Sequence, residues 1–148
     1  MHETVMSDLD IAKTELYEEN LTLAIVKNSE VLFETKNHRI SGFLDAVEKL
    51  GDRLEGASLA DRVAGKAIAL LCVYSKIKEV YAAVLSRKAH AVFKKHKIRV
   101  QWRELVENVL DVNKTGVCPF ENAAANMSDP KAAFKAFKAL REKLKPCK

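Results

Sequence analysis

The sequence predicts an α/β protein: a three-layer α-β-α sandwich around a mixed sheet of about five strands, with an N-terminal β-hairpin and parallel crossovers. Two patterns carry this expectation. One is a pair of β-rich runs joined by a short polar turn near the N-terminus; the other is a strand, helix, strand succession in the second half of the chain. The chain is 148 residues with 48% hydrophobic and 30% charged side chains, which suits one domain over 1–148 with an ordered core of about 8–145. A chain of this length buries enough surface to fold without disulfide or metal staples.

Ser7 and Asp10 have the spacing of a helix cap, and Leu9, Ala12 and Leu16 then share one face of a short helix ending near Glu19. Leu21 to Lys27 and Val31 to Thr35 read as the hairpin, turned by Asn28, Ser29 and Glu30. The first strand is apolar on both faces and is expected to be the more interior. Phe43, Leu44, Val47 and Leu50 follow at helical spacing and stop at Gly51. Ser58 and Asp61 read as the cap and first-turn carboxylate of a buried central helix running to about Tyr74.

The near-continuous apolar run from Lys78 to Leu85 suits a strand covered on both faces. Ser86 is placed to cap an amphipathic helix carrying Ala89, Val92 and Phe93. Ile98, Val100 and Trp102 then alternate with Arg99, Gln101 and Arg103, as in a strand nearer an edge. Leu105 to Leu110 is expected as a further short strand and Asp111 to Gly116 as a loop. Pro119 marks a helix start just after Cys118, running toward Asn126. A last helix opens at Asp129 and Pro130, with Ala133, Phe137, Leu140 and Leu144 on the face that docks.

No apolar run is long enough to cross a membrane, and Met1 to Asp10 holds no signal-like apolar stretch, so a cytoplasmic location is expected. Cys72, Cys118 and Cys147 fit neither a zinc ribbon nor a redox pair, and free thiols suit a reducing compartment. Residues 1–74 carry 8 basic and 13 acidic side chains and residues 75–148 carry 17 and 7, so the second half is the candidate polyanion face. No aromatic-plus-basic RNA motif accompanies that charge. Gly65-Lys66 has the look of a phosphate-binding loop, but the first glycine and the Ser/Thr are missing and the segment reads as helical. Gly65 is instead expected to permit a close approach by a neighbouring element.

Three segments carry a family resemblance: 20–27 (NLTLAIVK), 56–67 (GASLADRVAGKA) and 116–121 (GVCPFE). They resemble the shared motifs of an uncharacterised prokaryotic family filed as domain of unknown function eighteen-ninety-three, over nearly the whole chain from about Asp10 to about Leu144. The resemblance implies a cytidine-deaminase-like fold and no established reaction. Zinc-dependent deamination needs a His or Cys two residues before a general-acid Glu, and a Pro-Cys-x-x-Cys pair at the next helix start. By position these are expected near Ser58 to Asp61 and Ser86 to Ala89, and neither stretch holds His or Cys. His38, His90 and His96 have no partner at ligand spacing. Zinc deaminase chemistry is excluded on the missing ligands, and neither a metal nor a cofactor is expected.

Within such a frame, ligands sit at the carboxyl ends of strands beside helix starts. The candidate pocket combines Asp61, Lys66, Ser86 and Lys114 as ligand-binding groups with Cys118 and Glu121 as the chemical pair. Cys118 is read either as an activated thiol at a helix start or as a plain N-cap, with Glu121 sharing the capping role. Lys66 either snorkels to solvent or points into the pocket. The expected partner is a small polar molecule, nucleotide-like in one form, acted on through Cys118 if the protein is an enzyme. The alternatives are a basic RNA or polyanion-binding module using the last helix with Lys94, Lys95 and Arg99, and a structural homo-oligomer such as a homodimer.

Overall fold

The computed structural model describes residues 6–37, 39–109 and 118–144. His38, Lys114 with the rest of the expected loop, and Cys147 lie outside the described residues. The chain opens with α1 (Asp8–Glu18), where the Ser7 hydroxyl accepts the Asp10 amide at 3.1 Å as its spacing predicts. The hairpin follows as β1 (Leu23–Lys27) and β2 (Glu30–Thr35), paired antiparallel. At its turn Asn28 and Ser29 take φ of 53° and 65°, and both amides donate to the Asp8 carboxylate at 2.9 and 2.8 Å. A strained turn is thereby tied to the start of α1.

α2 (Arg39–Leu50) and a single 3-10 turn (Gly51–Leu54) lead to a correction. The expected helix from Ser58 to Tyr74 is two elements, β3 (Ser58–Ala64) and α3 (Lys66–Ser75), hinged at Gly65. Ser58 caps nothing: its hydroxyl is buried and donates to the Glu79 carboxylate at 2.6 Å. Asp61 lies in mid-strand, opposite Leu23 of β1 on one side and Ala82 on the other.

β4 (Glu79–Ser86), α4 (Arg87–Lys95) and β5 (Arg99–Val106) form the expected crossover. β5 continues to Val106, so no separate strand begins at Leu105. α5 (Pro119–Ala124) and α6 (Pro130–Leu144) complete the described chain. The five strands order β2-β1-β3-β4-β5, with β1 antiparallel to both neighbours and β3, β4 and β5 mutually parallel.

The two faces of the sheet are covered unequally. α1 alone buries Leu9, Ala12 and Leu16 against Ala24, Val26, Ala60 and Tyr81. On the other face Leu23, Ile25, Leu59, Val80 and Ala82 meet α2, α3 and α4, with Phe137 of α6 and Phe120 of α5 closing the same core. α6 lies on α3, where Phe134 stacks on Tyr74 at 4.6 Å between ring centres. It is also tied to α2 by Arg141, which bridges Asp45 at 3.0 Å and Glu48 at 2.8 Å. Among the described residues no helix is long and apolar enough to cross a membrane.

Candidate functional site

β3 ends at Ala64, and Gly65, with extended backbone, brings no side chain to the first free amides of α3. Those donors would be orphans in most helices. Here a carboxylate from far along the chain takes them: Glu121 of α5 accepts the Lys66 amide at 2.8 Å and the Ala67 amide at 2.7 Å. An anion at the positive end of a helix, held by two charge-assisted bonds, is a favourable arrangement. It depends on Gly65, because a Cβ there would overlap the carboxylate carbon and both its oxygens. The close approach expected at Gly65 is therefore made by a side chain rather than by a strand or helix.

Lys66 closes the junction from the other side. Its ammonium donates to the Ala125 carbonyl at 3.0 Å, at the far end of α5. The structure thus brings Lys66 and Glu121 together through the contact of α3 with α5. Lys66 is the first residue of its helix and not a cation in a helix interior. The strand-to-helix position of Gly65-Lys66 also corrects the helical setting assigned to the phosphate-loop lookalike; the missing glycine and hydroxyl residue still separate it from one.

Cys118 precedes α5 and is 5% exposed among Val109, Phe120 and Ala124 of the core. Its amide donates to the Val109 carbonyl at 3.1 Å, and its thiol makes no capping bond. The shared capping expected of Cys118 and Glu121 does not form, because Glu121 caps α3 instead. Ser86 is the cap its sequence suggests: its buried hydroxyl accepts the Ala89 amide at 3.0 Å, which commits that oxygen to α4.

Asp61 is not a helix cap. Its carboxylate is 9% exposed and accepts the Val63 amide at 3.3 Å. Burial pushes its pKa up to about 7 against a weaker pull from the Val63 and Arg62 amides. Cys72 of α3 feels that charge, and its thiol is pushed up first by burial and then by Asp61. The helix-start positions at which zinc ligands would be sought are corrected to Gly65–Ile68 and Ser86–Ala89, and neither contains His or Cys. Among the cations of the polyanion reading, Lys94 and Lys95 are exposed on α4, whereas Arg99 is held by Glu79 at 3.1 Å.

Sequence reasoning missed that Glu121 reaches α3, and no local pattern could have shown it, because the partners are 54 and 55 residues apart. It also missed Tyr17, Tyr81, Arg62 and Arg103, which the topology gathers from four elements.

Residues 11–143 match the model of the TM1506 family, a domain of unknown function (DUF1893). The crystal structure of a DUF1893 family protein, TM1506 from Thermotoga maritima, is similar to this chain with a TM-score of 0.81 and 24% identity, covering 94% of each chain. That likeness shows the fold. RibD from Acinetobacter baumannii is matched at a TM-score of 0.44 and 20% identity over 77% of this chain and 32% of that one. A diaminohydroxyphosphoribosylaminopyrimidine deaminase/reductase from Thermotoga maritima is matched at 0.45 and 21% over 63% and 34%. At those scores neither bears on the chemistry of this chain. None of the curated proteins compared matches it.

Proposed function

This chain belongs to the TM1506 family, a domain of unknown function (DUF1893), and from that premise we propose that it binds a small polar ligand, nucleotide-like in size and polarity, at the junction of β3, α3 and α5. One observation carries the reading. Two of the segments that carry the family resemblance, 56–67 and 116–121, meet where Glu121 caps α3.

The chemistry of the junction suits a ligand with both acceptors and donors. The Lys66 ammonium is bonded to a neutral carbonyl, which an anionic ligand group can replace at little cost. Glu121 is fixed by two amides, and its remaining lone pairs can accept from a ligand N–H or O–H. Lys114, which lies outside the described residues, belongs to the proposal as a second cation, four residues before Cys118 in the sequence. Asp61, buried in β3, and Ser86, committed to the cap of α4, take no part in holding the ligand. A cytoplasmic location belongs to the same reading and is supported by the free thiols of Cys72 and Cys118.

Cys118 decides between binding and catalysis. It lies three residues before Glu121, yet its burial favours binding. Iodoacetamide is expected to label Cys118 no faster than Cys72 in the native protein; selective labelling of Cys118 would establish a reactive thiol and an enzyme. For binding, a panel of nucleosides and cyclic nucleotides, which carry no phosphomonoester, is expected to include a compound that raises the melting temperature of the wild type. That shift is expected to be lost in Lys66→Gln. A shift that survives in Lys66→Gln, or a panel without effect, would refute the site.

A further inference from the structure

On the sheet face that α1 covers only in part lies a second polar cluster, on the opposite side of the sheet from the α3 junction. Tyr17 of α1 and Tyr81 of β4 place their hydroxyl oxygens 2.6 Å apart, with rings edge to face at 6.2 Å. Three cations surround them. The Arg62 guanidinium of β3 sits 4.8 Å over the Tyr17 ring, and the Lys13 ammonium 4.7 Å over the Tyr81 ring. Arg103 of β5 adjoins the Tyr17 hydroxyl. Arg62 is anchored on the carbonyls of Leu21 and Leu16 at 2.8 and 3.0 Å and on the Asn20 amide oxygen at 3.4 Å. Among the described residues none of the three cations is in an ion pair.

α1 sorts its charges around this cluster. Glu15 and Glu19 act on Glu34 of β2, on one flank of the helix. Lys13 and Tyr17, four residues apart, share the flank toward β4. Tyr81 is 3% exposed and Tyr17 37%, so the cluster has a buried floor and an open mouth.

We propose that this cluster is an oxyanion site that takes the phosphate group of a small phosphomonoester, held by the Tyr17 hydroxyl and the Arg103 guanidinium over a floor of Tyr81, Arg62 and Lys13. Tyr81 is pushed up to about 12, by burial first and then by its bond to Tyr17, so it keeps its proton, and either hydroxyl can donate across the 2.6 Å contact. Burial raises Tyr17 as well, but the Tyr81 bond and Arg103 lower it by more. With Tyr81 donating, the Tyr17 hydrogen is free to turn to an anion at the mouth, beside a guanidinium whose fork matches two phosphate oxygens. A dianion suits three cations better than a carboxylate does, even with Arg103 feeling the Glu104 carboxylate. A single-stranded nucleic acid fits less well, since the exposed Trp102 packs its ring on His90 of α4, away from Tyr17 and Tyr81, and offers no stacking surface beside the cluster.

Calorimetric titration at low ionic strength tests this, with inorganic phosphate and a short single-stranded oligonucleotide as probes. Wild type is expected to bind phosphate, Arg103→Gln about tenfold or more weakly and Tyr17→Phe several-fold more weakly. Lys94→Gln, on α4, is expected to bind as wild type does. Tyrosine ionisation followed by ultraviolet absorbance supplies an independent reading: phosphate is expected to move the first phenol to higher pH, and the effect is expected to vanish in Tyr17→Phe. Absence of phosphate binding, an equal loss in Lys94→Gln, or affinity for the oligonucleotide alone would overturn the proposal. Lys66→Gln is expected to leave phosphate binding intact, which keeps this result separable from that at the α3 junction.

Discussion

Gly65→Ala is expected to destabilise the protein by about 2 to 3 kcal/mol, and to do so only while Glu121 is present. The backbone at Gly65, at φ −102° and ψ −172°, suits alanine, so no conformational strain enters. The cost comes from the added methyl, which occupies the place of the Glu121 carboxylate. That carboxylate is the end of a flexible side chain and can swing away, but the Lys66 and Ala67 amides then lose their partner. Glu121→Ala alone is expected to cost about the same, because it orphans the same two donors. In the double variant the methyl meets no carboxylate, and Gly65→Ala is expected to be neutral or to stabilise by about 0.5 kcal/mol through the unfolded chain. Urea denaturation of the two single variants and the double variant measures this coupling. Additive losses would show that Glu121 does not hold the start of α3.

The same residue explains where the sequence could be read and where it misled. The caps at Ser7 and Ser86 are local, and both form with the amide three residues on. β2 and β5 are legible because polar and apolar residues alternate along them, and β1 and β4 because each is a short, nearly continuous apolar run. β3 is not, because its buried stretch carries Ser58 and Asp61 among apolar residues and so shows neither the alternation of a half-exposed strand nor the apolar run of a covered one. Leu59, Val63 and Ala67 then fall by chance at helical spacing, and β3 merges with α3 in the pattern. The Gly65 break was the available sign, since a glycine within a buried helix has a cost that some neighbour must explain. Of the candidate site, Lys66 reads as lying within a helix and Glu121 as sharing a cap with Cys118, whereas Lys66 opens α3 and Glu121 caps it, which is a tertiary event. Asp61 and Ser86 join the pocket in the sequence as groups at two expected helix starts; Asp61 lies in mid-strand instead, and Ser86 is spent on capping α4.

Asp61→Asn is expected to abolish a large pH dependence of stability. The Asp61 carboxyl ionises near 3.8 in an unfolded chain and near 7 when buried in β3. Between those values the native state holds a proton that the unfolded state has released. Stability from this group is therefore fully present below about pH 4, falls as the pH rises, and is gone above about pH 7. At ~1.4 kcal/mol per unit, the difference amounts to about 4 kcal/mol as an upper limit. Asparagine copies the neutral acid in shape and can still accept the Val63 amide, so the variant is expected to match wild type near pH 4. Near pH 8 it is expected to be the more stable by a few kcal/mol, because it has no charge to bury. Other groups run the opposite way: Glu48, held low chiefly by its bond to Arg141, loses its contribution as the pH falls. The decisive quantity is accordingly the difference between variant and wild type, from urea denaturation at the two pH values, in which contributions common to both proteins cancel. Cys72, the thiol that feels the Asp61 charge, supplies a second readout. With the carboxylate gone, its ionisation is expected to move down while remaining above that of a free thiol, since burial is the larger cause. A variant that tracks wild type at both pH values would mean that Asp61 is solvated and ionised in the native protein, and that β3 and α3 do not enclose it.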